Sequence, residues 1–151
     1  MVPATANLVA ERIVSLSHEK DNPVSNLKLQ KLLYYSQAWH LALFRIPLFE
    51  EDIEAWVHGP VVPEIFRRYR ECKWSPIPNN VTNGDYQFRP HLEEVWRVYG
   101  KFAAFDLERL THSEEPWKNA RMGLAPDASS HNIISKSSMR DYYAARLNVH
   151  S

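Results

Sequence analysis

His112 is the side chain best suited to chemistry, because an imidazole exchanges a proton near neutral pH. Glu114 and Glu115 follow it closely in the sequence. No serine or cysteine stands in a nucleophile-elbow context, so hydrolase chemistry is not favoured. We therefore predict a structural histidine bonded to a helix end, and we assign no catalytic residue.

Metal and cofactor sites have no recognisable pattern in the chain. The seven histidines show no paired ligand spacing and Cys72 is the single cysteine, so we reject a zinc site. With only four glycines, the sequence also lacks the glycine-rich loops that cradle phosphates or dinucleotides. The sequence predicts neither a metal nor a cofactor.

The segment from Trp56 to Pro60 combines an aromatic anchor, a proton carrier and a rigid corner. One interpretation makes Trp56 and His58 part of a recognition groove whose shape is fixed by Gly59 and Pro60. The other places Trp56 in the core and makes Gly-Pro a simple turn. We favour the core for Trp56 and leave the role of His58 open.

A dense block of lysine, leucine and tyrosine lies on what should be the longest helix. Lys28 and Lys31 flank Gln30 and share a side of that helix. They could meet an acidic partner or a backbone carbonyl, but lysines are mostly exposed, so a solvated face is the better interpretation. Tyr34 and Tyr35 offer the large amphipathic area that concentrates binding energy at interfaces. Packing in the core, with their hydroxyls satisfied at its rim, fits them equally well.

A basic cluster gives the best case for nucleic acid, since Arg67, Arg68, Arg70 and Lys73 occur together with Trp74 beside them. However, eighteen basic residues balance eighteen acidic ones. The chain therefore lacks the long-range positive field that attracts phosphates. Charges at this density more often solvate a helix, so nucleic acid is not favoured as a partner.

Size and composition fit one globular domain spanning residues 1–151, with 44% hydrophobic residues available for its core. No apolar run approaches the ~20 residues that a membrane helix needs, so no membrane association is predicted. Charged residues near the start leave no room for the apolar core of a signal peptide. A lone cysteine cannot form an internal disulfide, and a cytoplasmic location fits best.

Apolar spacing and helix-capping residues predict a mainly α fold, a compact single-domain helical structure with a short β element around residues 50–57. The second helix, which either Ser25 or Asn26 can cap, should be the spine and should bury one broad apolar face. Residues 74–88 should form an exposed loop with a hairpin turn at Asn83-Gly84. The predicted helices cover residues 5–19, 26–45, 64–73, 90–99 and 102–110, followed by a short helix capped by Ser113 and a last helix led by Ser135 or Ser137.

Taken in order, several blocks of the sequence resemble the Panacea family, also called the SocA-like antitoxin domain and often labelled phage-associated GepA-like proteins. The likeness extends from the first predicted helix to the last, and its motifs are specific as an ordered set but weak individually. The blocks are Leu27–Tyr35, Pro47–Phe49, Ala55-Trp56, Gly59–Val61, Leu110–His112 and Pro116–Lys118. The positions that match the family are Lys28, Gln30, Lys31, Tyr34, Tyr35, Trp56, Gly59, Pro60, His112, Pro116 and Trp117.

The resemblance implies a non-enzymatic bacterial or phage protein that neutralises an adjacently encoded toxin by direct contact. In the SocA branch, the antitoxin is an adaptor that delivers its toxin to a Clp-type protease. Neutralisation by occlusion or by proteolysis, and the oligomeric state, stay open. Our candidate contact surfaces are residues 64–73, the loop 74–88 and the Lys28 side of the long helix.

Two other functions remain as alternatives to the antitoxin. A DNA-binding regulator would use the basic helix 64–73, and strong affinity with a steep salt dependence would support it. An enzyme that depends on His112 comes third. It would require that His112→Ala lose an activity while the fold stays unchanged.

Overall fold

The computed structural model describes residues 4–79 and 86–149. Within these ranges the chain is mainly α-helical with a small three-stranded sheet, which confirms the predicted fold class. The predicted turn at Asn83-Gly84 lies outside the described residues. The helices are α1 (Ala6–Glu19), α2 (Asn26–Phe44), α3 (Pro63–Arg68), α4 (Arg89–Tyr99), α5 (Ala104–His112), α6 (Glu115–Ala120) and α7 (Lys136–Val149), and the strands are β1 (Ile53–Trp56), β2 (Gly59–Val61) and β3 (Ile133–Ile134).

Side-chain caps begin the first two helices. Thr5 Oγ1 accepts a hydrogen bond from the backbone N–H of Leu8 at 3.1 Å, and Ser25 Oγ accepts one from that of Lys28 at 3.3 Å. Each bond satisfies a donor that has no partner inside its helix. The capping of the second helix by Ser25 was one of the two choices that its sequence offered.

Helix α2 is the centre of the fold, and it is buried around nearly its whole circumference. It contacts α1, α3, α4, α5, α7 and β2. The prediction of a spine helix is therefore confirmed, but the prediction of one broad apolar face is wrong. Neighbouring elements surround α2, so its polar residues are enclosed together with its leucines, while Leu43 near its end is exposed.

The sheet places β1 between β2 and β3, with both pairs antiparallel. The predicted β element around residues 50–57 is confirmed as β1. Gly59 pairs with Trp56 and Pro60 pairs with Ala55, so the chain reverses at Val57-His58. The prediction of a Gly59-Pro60 corner is therefore wrong, and Pro60 is tolerated because β2 is an edge strand.

Two helix ends differ from their predicted positions. Helix α3 stops at Arg68 and a single 3-10 turn, Arg70–Cys72, follows it, so the predicted helix 64–73 is two short pieces. Ser113 does not cap α6. It closes α5, where its hydroxyl donates to the Leu110 carbonyl at 2.6 Å, and Glu114 occupies the N-cap position of α6.

Among the described residues, no helix combines the length and the apolar character needed to cross a membrane.

Candidate functional site

Most of the residues singled out by the sequence lie inside the molecule rather than on its surface. Trp56 and His112 are half-buried, and His58, Arg67 and Arg68 are exposed. The buried members are Lys28, Gln30, Lys31, Tyr34, Tyr35, Gly59, Pro60, Pro116 and Trp117. These buried residues come from α2, β2 and the start of α6, and they connect those elements to the rest of the core.

Gln30 ties α2 to the end of β2 and to α3. Its Oε1 accepts from the backbone N–H of Val62 at 2.9 Å, and its Nε2 donates to Asn26 Oδ1 at 2.9 Å. Asn26 in turn donates to the Phe66 carbonyl at 3.0 Å. Because these bonds occupy Gln30 within the fold, its side chain holds elements together and is not presented to a partner.

Lys28 closes the end of α4. Its Nζ donates to the Gly100 carbonyl at 2.6 Å and lies 5.3 Å from the centre of the Trp96 ring. A cation at a helix C-terminus offsets the partial negative charge of the free carbonyls. The predicted solvated face for Lys28 and Lys31 is therefore wrong, and so is the Lys28 side of α2 as a contact surface.

A buried carboxylate joins α2, α6 and α7. Glu114 Oε1 accepts from the Tyr34 hydroxyl at 2.9 Å and Oε2 accepts from the Tyr35 hydroxyl at 3.0 Å. Tyr143 of α7 donates a third hydrogen bond to Oε1. We call these four residues the Glu114–tyrosine cluster. Tyr34 and Tyr35 are therefore packed in the core, which is the second of the two interpretations offered by the sequence.

Aromatic packing extends the Glu114–tyrosine cluster to α4. The ring of Tyr99 stacks on that of Tyr35 with centroids 3.9 Å apart and planes inclined by 12°. Trp39 Nε1 donates to the Tyr99 hydroxyl at 2.8 Å. The cluster and its neighbours therefore connect four helices through one continuous set of polar and ring contacts.

The charge state of the Glu114–tyrosine cluster follows from its burial. Burial raises the pKa of Glu114, and the three tyrosine hydrogen bonds oppose that rise. Burial and the nearby carboxylate raise the pKa of Tyr34 and Tyr35 far above their ordinary range, and the pKa of Tyr99 reaches about 12. The tyrosines consequently keep their protons at neutral pH and remain donors.

Lys31 is the second buried charge of α2, with 0% of its surface exposed. Among the described residues its Nζ has no hydrogen-bond partner. It lies against Gly59 and Thr111, because a Cβ at Gly59 would be 3.0 Å from Lys31 Cε and 3.0 Å from Thr111 Oγ1. Burial lowers the pKa of Lys31 to about 8, while the carboxylate of Glu108 opposes that change.

His112 packs beside this lysine as part of the core wall. Its ring stacks on Trp117 with centroids 4.0 Å apart and planes inclined by 19°, and Trp117 Nε1 donates to the Trp56 carbonyl at 2.8 Å. Burial is the largest cause that lowers the pKa of His112, although Glu108 and a backbone hydrogen bond with Val57 oppose it. His112, the last residue of α5, is therefore bonded to the β1–β2 turn at Val57 and not to the end of another helix.

The remaining motif residues lie nearer the surface. Trp56 is half-buried and not fully in the core, and its Nε1 donates to Glu54 at 2.8 Å. The side chain of His58 is 68% exposed, with Nδ1 3.3 Å from a Glu108 oxygen. On α3, Arg68 forms an ion pair with Glu11 of α1 at 2.8 Å.

Arg121 is a buried cation that the sequence did not indicate. Its guanidinium donates to the carbonyls of Ala55 at 3.2 Å and Ala125 at 2.8 Å and lies 4.7 Å from the centre of the Trp117 ring. It fastens β1 to the loop after α6. Both acceptors are backbone carbonyls of alanines, so no polar side chain in the sequence indicated the contact.

Metal-binding geometry is absent from the part of the chain that the structure describes, since it holds no group of three or more His, Cys, Asp or Glu side chains placed around one point.

Comparisons with known proteins bear on the family of the chain. The family model described as "Antitoxin SocA-like, Panacea domain" matches residues 29–91. Antitoxin SocA of Caulobacter vibrioides (strain NA1000 / CB15N) is 31% identical over 129 residues, covering 76% of this chain and 66% of that protein. The chain belongs to the SocA-like Panacea-domain family. It spans just under two thirds of the length of this curated relative, and no solved structure shows a significant match to it.

In this Panacea domain, we expect Lys31→Met to raise the free energy of unfolding at pH 7 by about 1–3 kcal/mol, because an unpaired buried ammonium is replaced by an apolar side chain of similar length. The folded-state pKa of Lys31, about 8, is below the ordinary 10.5. The wild-type penalty should therefore shrink as pH rises from about 8 to 10.5, where only the unfolded chain keeps the proton.

Urea unfolding of both chains across this pH range measures the difference, and the buried tyrosines cancel because both chains carry them. Lys28→Met is the matched control. Lys28 has a carbonyl partner, so its replacement should cost stability. A loss of stability in Lys31→Met would contradict the assignment of an unpaired charge.

Proposed function

We propose that the chain is a non-enzymatic, cytoplasmic antitoxin that neutralises a cognate toxin by direct protein–protein contact, with residues 1–151 acting as one domain. The burial of the family-motif residues carries this proposal. A motif that builds the core supports a shared scaffold, and a scaffold of this kind leaves the exposed residues free to differ and to select a partner. The curated relative that the chain resembles is itself named an antitoxin.

Contact with the toxin can end in occlusion or in delivery to a Clp-type protease. Occlusion needs only a stable complex that covers the active surface of the toxin. Delivery needs in addition that the complex be recognised by the protease and that the toxin be consumed. We propose binding as the common step, with delivery as its consequence where a protease is present.

The experiment is expression of the adjacent open reading frame in bacteria, alone and together with this chain. We expect growth inhibition by the neighbouring protein and recovery on co-expression, followed by co-purification of the pair. Glu114→Ala, which should weaken the scaffold, is expected to lose the rescue, whereas Glu115→Ala at the exposed next position should keep it.

The level of the toxin separates the two modes. A constant level with a stable complex indicates occlusion. A falling level that recovers in a strain lacking Clp proteases indicates delivery. A neighbouring protein that is harmless, or whose toxicity this chain does not relieve, would refute the proposed function.

A further inference from the structure

An exposed tryptophan stands at the tip of a tight turn after α3. Trp74 is 81% exposed, which is uncommon for the largest apolar side chain. The Ser75 N–H donates to the Cys72 carbonyl at 2.9 Å, which makes Cys72–Ser75 a four-residue turn with Lys73 and Trp74 at its centre. We call Arg67, Arg70, Lys73 and Trp74 the Trp74 tip.

The turn holds a lysine in a backbone conformation that favours glycine. Lys73 has φ 53° and ψ −121°, the geometry of the first central position of a type II′ turn. A residue with a Cβ is strained there, and such strain persists only where the surroundings impose it. The strained conformation is what places Trp74 at the tip of the turn.

Both sides of the turn are anchored to the core, so the tip has a fixed base. Before it, Arg68 is paired with Glu11 of α1 at 2.8 Å and Ile65 is buried. After it, buried Ile77 donates its N–H to the Val24 carbonyl at 2.8 Å, and its own carbonyl lies 2.7 Å from His18 Nε2. A surface that is already ordered loses less entropy when it binds.

Three cations precede Trp74 on α3, the 3-10 turn and the tight turn. Arg67, Arg70 and Lys73 are exposed, and none of them has an ion pair or side-chain hydrogen bond with the described residues. Exposed Glu64 and Glu71 lie on the same segment. These two carboxylates interrupt the row of cations, so the positive charge is confined to a small area. Tryptophan and arginine are the residues most enriched among those that dominate binding energy.

We propose that the Trp74 tip is the surface through which this chain binds its toxin, and that it fits an acidic protein surface with an apolar recess that accepts the indole. This inference rests on the proposed function. An acidic protein suits the tip better than nucleic acid does, because carboxylates interrupt the cations and the chain as a whole carries no net charge. A track of phosphates requires a broader positive face.

The test measures binding of the purified protein encoded by the adjacent gene, by calorimetry at low and at high NaCl. Trp74→Ala should weaken the affinity about 30-fold or more, as for a central binding residue. Arg67→Ser combined with Arg70→Ser should weaken it chiefly at low salt and flatten its salt dependence. Met122→Ala, at an apolar side chain that is 83% exposed in the loop after α6, is the matched control and should bind like the wild type.

Each other outcome overturns the inference in a distinguishable way. Wild-type binding that Trp74→Ala leaves unchanged would remove the Trp74 tip and keep the antitoxin. Failure of the wild type to bind the neighbouring protein would remove both proposals. Binding of a DNA duplex in its place, weakened by Trp74→Ala and with a steep salt dependence, would assign the tip to nucleic acid.

Discussion

Replacement of Glu114 by alanine is expected to lower the free energy of unfolding by about 3–5 kcal/mol. The change leaves the buried hydroxyls of Tyr34, Tyr35 and Tyr143 without their common acceptor, and it opens a cavity at the junction of three helices. The substitution also removes the desolvation cost of the buried carboxylate, but this gain offsets only part of the loss. Urea denaturation followed by far-ultraviolet circular dichroism measures the loss.

Glu115→Ala is the control, because Glu115 is the exposed neighbour on the same helix and should change stability by less than about 0.5 kcal/mol.

Glu114→Gln separates the effect of the charge from that of the side-chain shape. The pKa of Glu114 is raised in the folded state. Its contribution to the free energy of unfolding is therefore fully present below the ordinary pKa of 4.5 and is lost as the pH rises through the folded-state pKa. Glutamine should abolish that pH dependence. Equal stability of both alanine variants would refute the role of the Glu114–tyrosine cluster.

Local signals in the sequence predicted where most helices lie, although α3 and the start of α6 differ from their predicted bounds. The apolar spacing and the capping position of Ser25 predicted α2 nearly to its ends, because both act within a few residues along the chain. Strand β1 was predicted from alternation in the same way. Strand β3 was missed, since Ile133–Ile134 is too short to show a period.

Roles that depend on distant partners could not be predicted. Lys28 appeared to be solvent-exposed because its acceptor, the Gly100 carbonyl, lies 72 positions away. Tyr34 finds Glu114 at a separation of 80 residues, and nothing near either residue announces the other. Lysine is seldom buried, so the rule that normally identifies surface residues failed for Lys28 and Lys31.

Family resemblance located these positions but did not assign their roles. It marked Gly59 and His112 with equal weight, whereas the structure shows one as a point of close backbone approach and the other as a ring in the core wall. The Trp74 tip lies outside the matching positions altogether. A shared motif that builds the interior is compatible with partners that differ, because recognition can then change on the surface without loss of the fold.

The second large effect is expected at Gly59, where alanine should lower the free energy of unfolding by about 2–5 kcal/mol. Gly59 has φ 109°, a conformation that side chains with a Cβ rarely adopt. The new methyl group would also lie 3.0 Å from both Lys31 Cε and Thr111 Oγ1. Lys31 is fully enclosed and cannot retreat to solvent, so the strain should be retained.

Gly123→Ala isolates the backbone contribution from the steric one. Gly123 also has a positive φ, 81°, but a Cβ there would meet nothing within 4 Å. We expect it to cost about 1 kcal/mol, and the excess in Gly59→Ala measures the close approach of β2 to α2. Gly59→Ala in a Lys31→Ala background should recover part of that excess, because the obstructing side chain is shortened. If the two glycine variants lose equal stability, β2 does not press on Lys31, and the buried lysine needs another explanation.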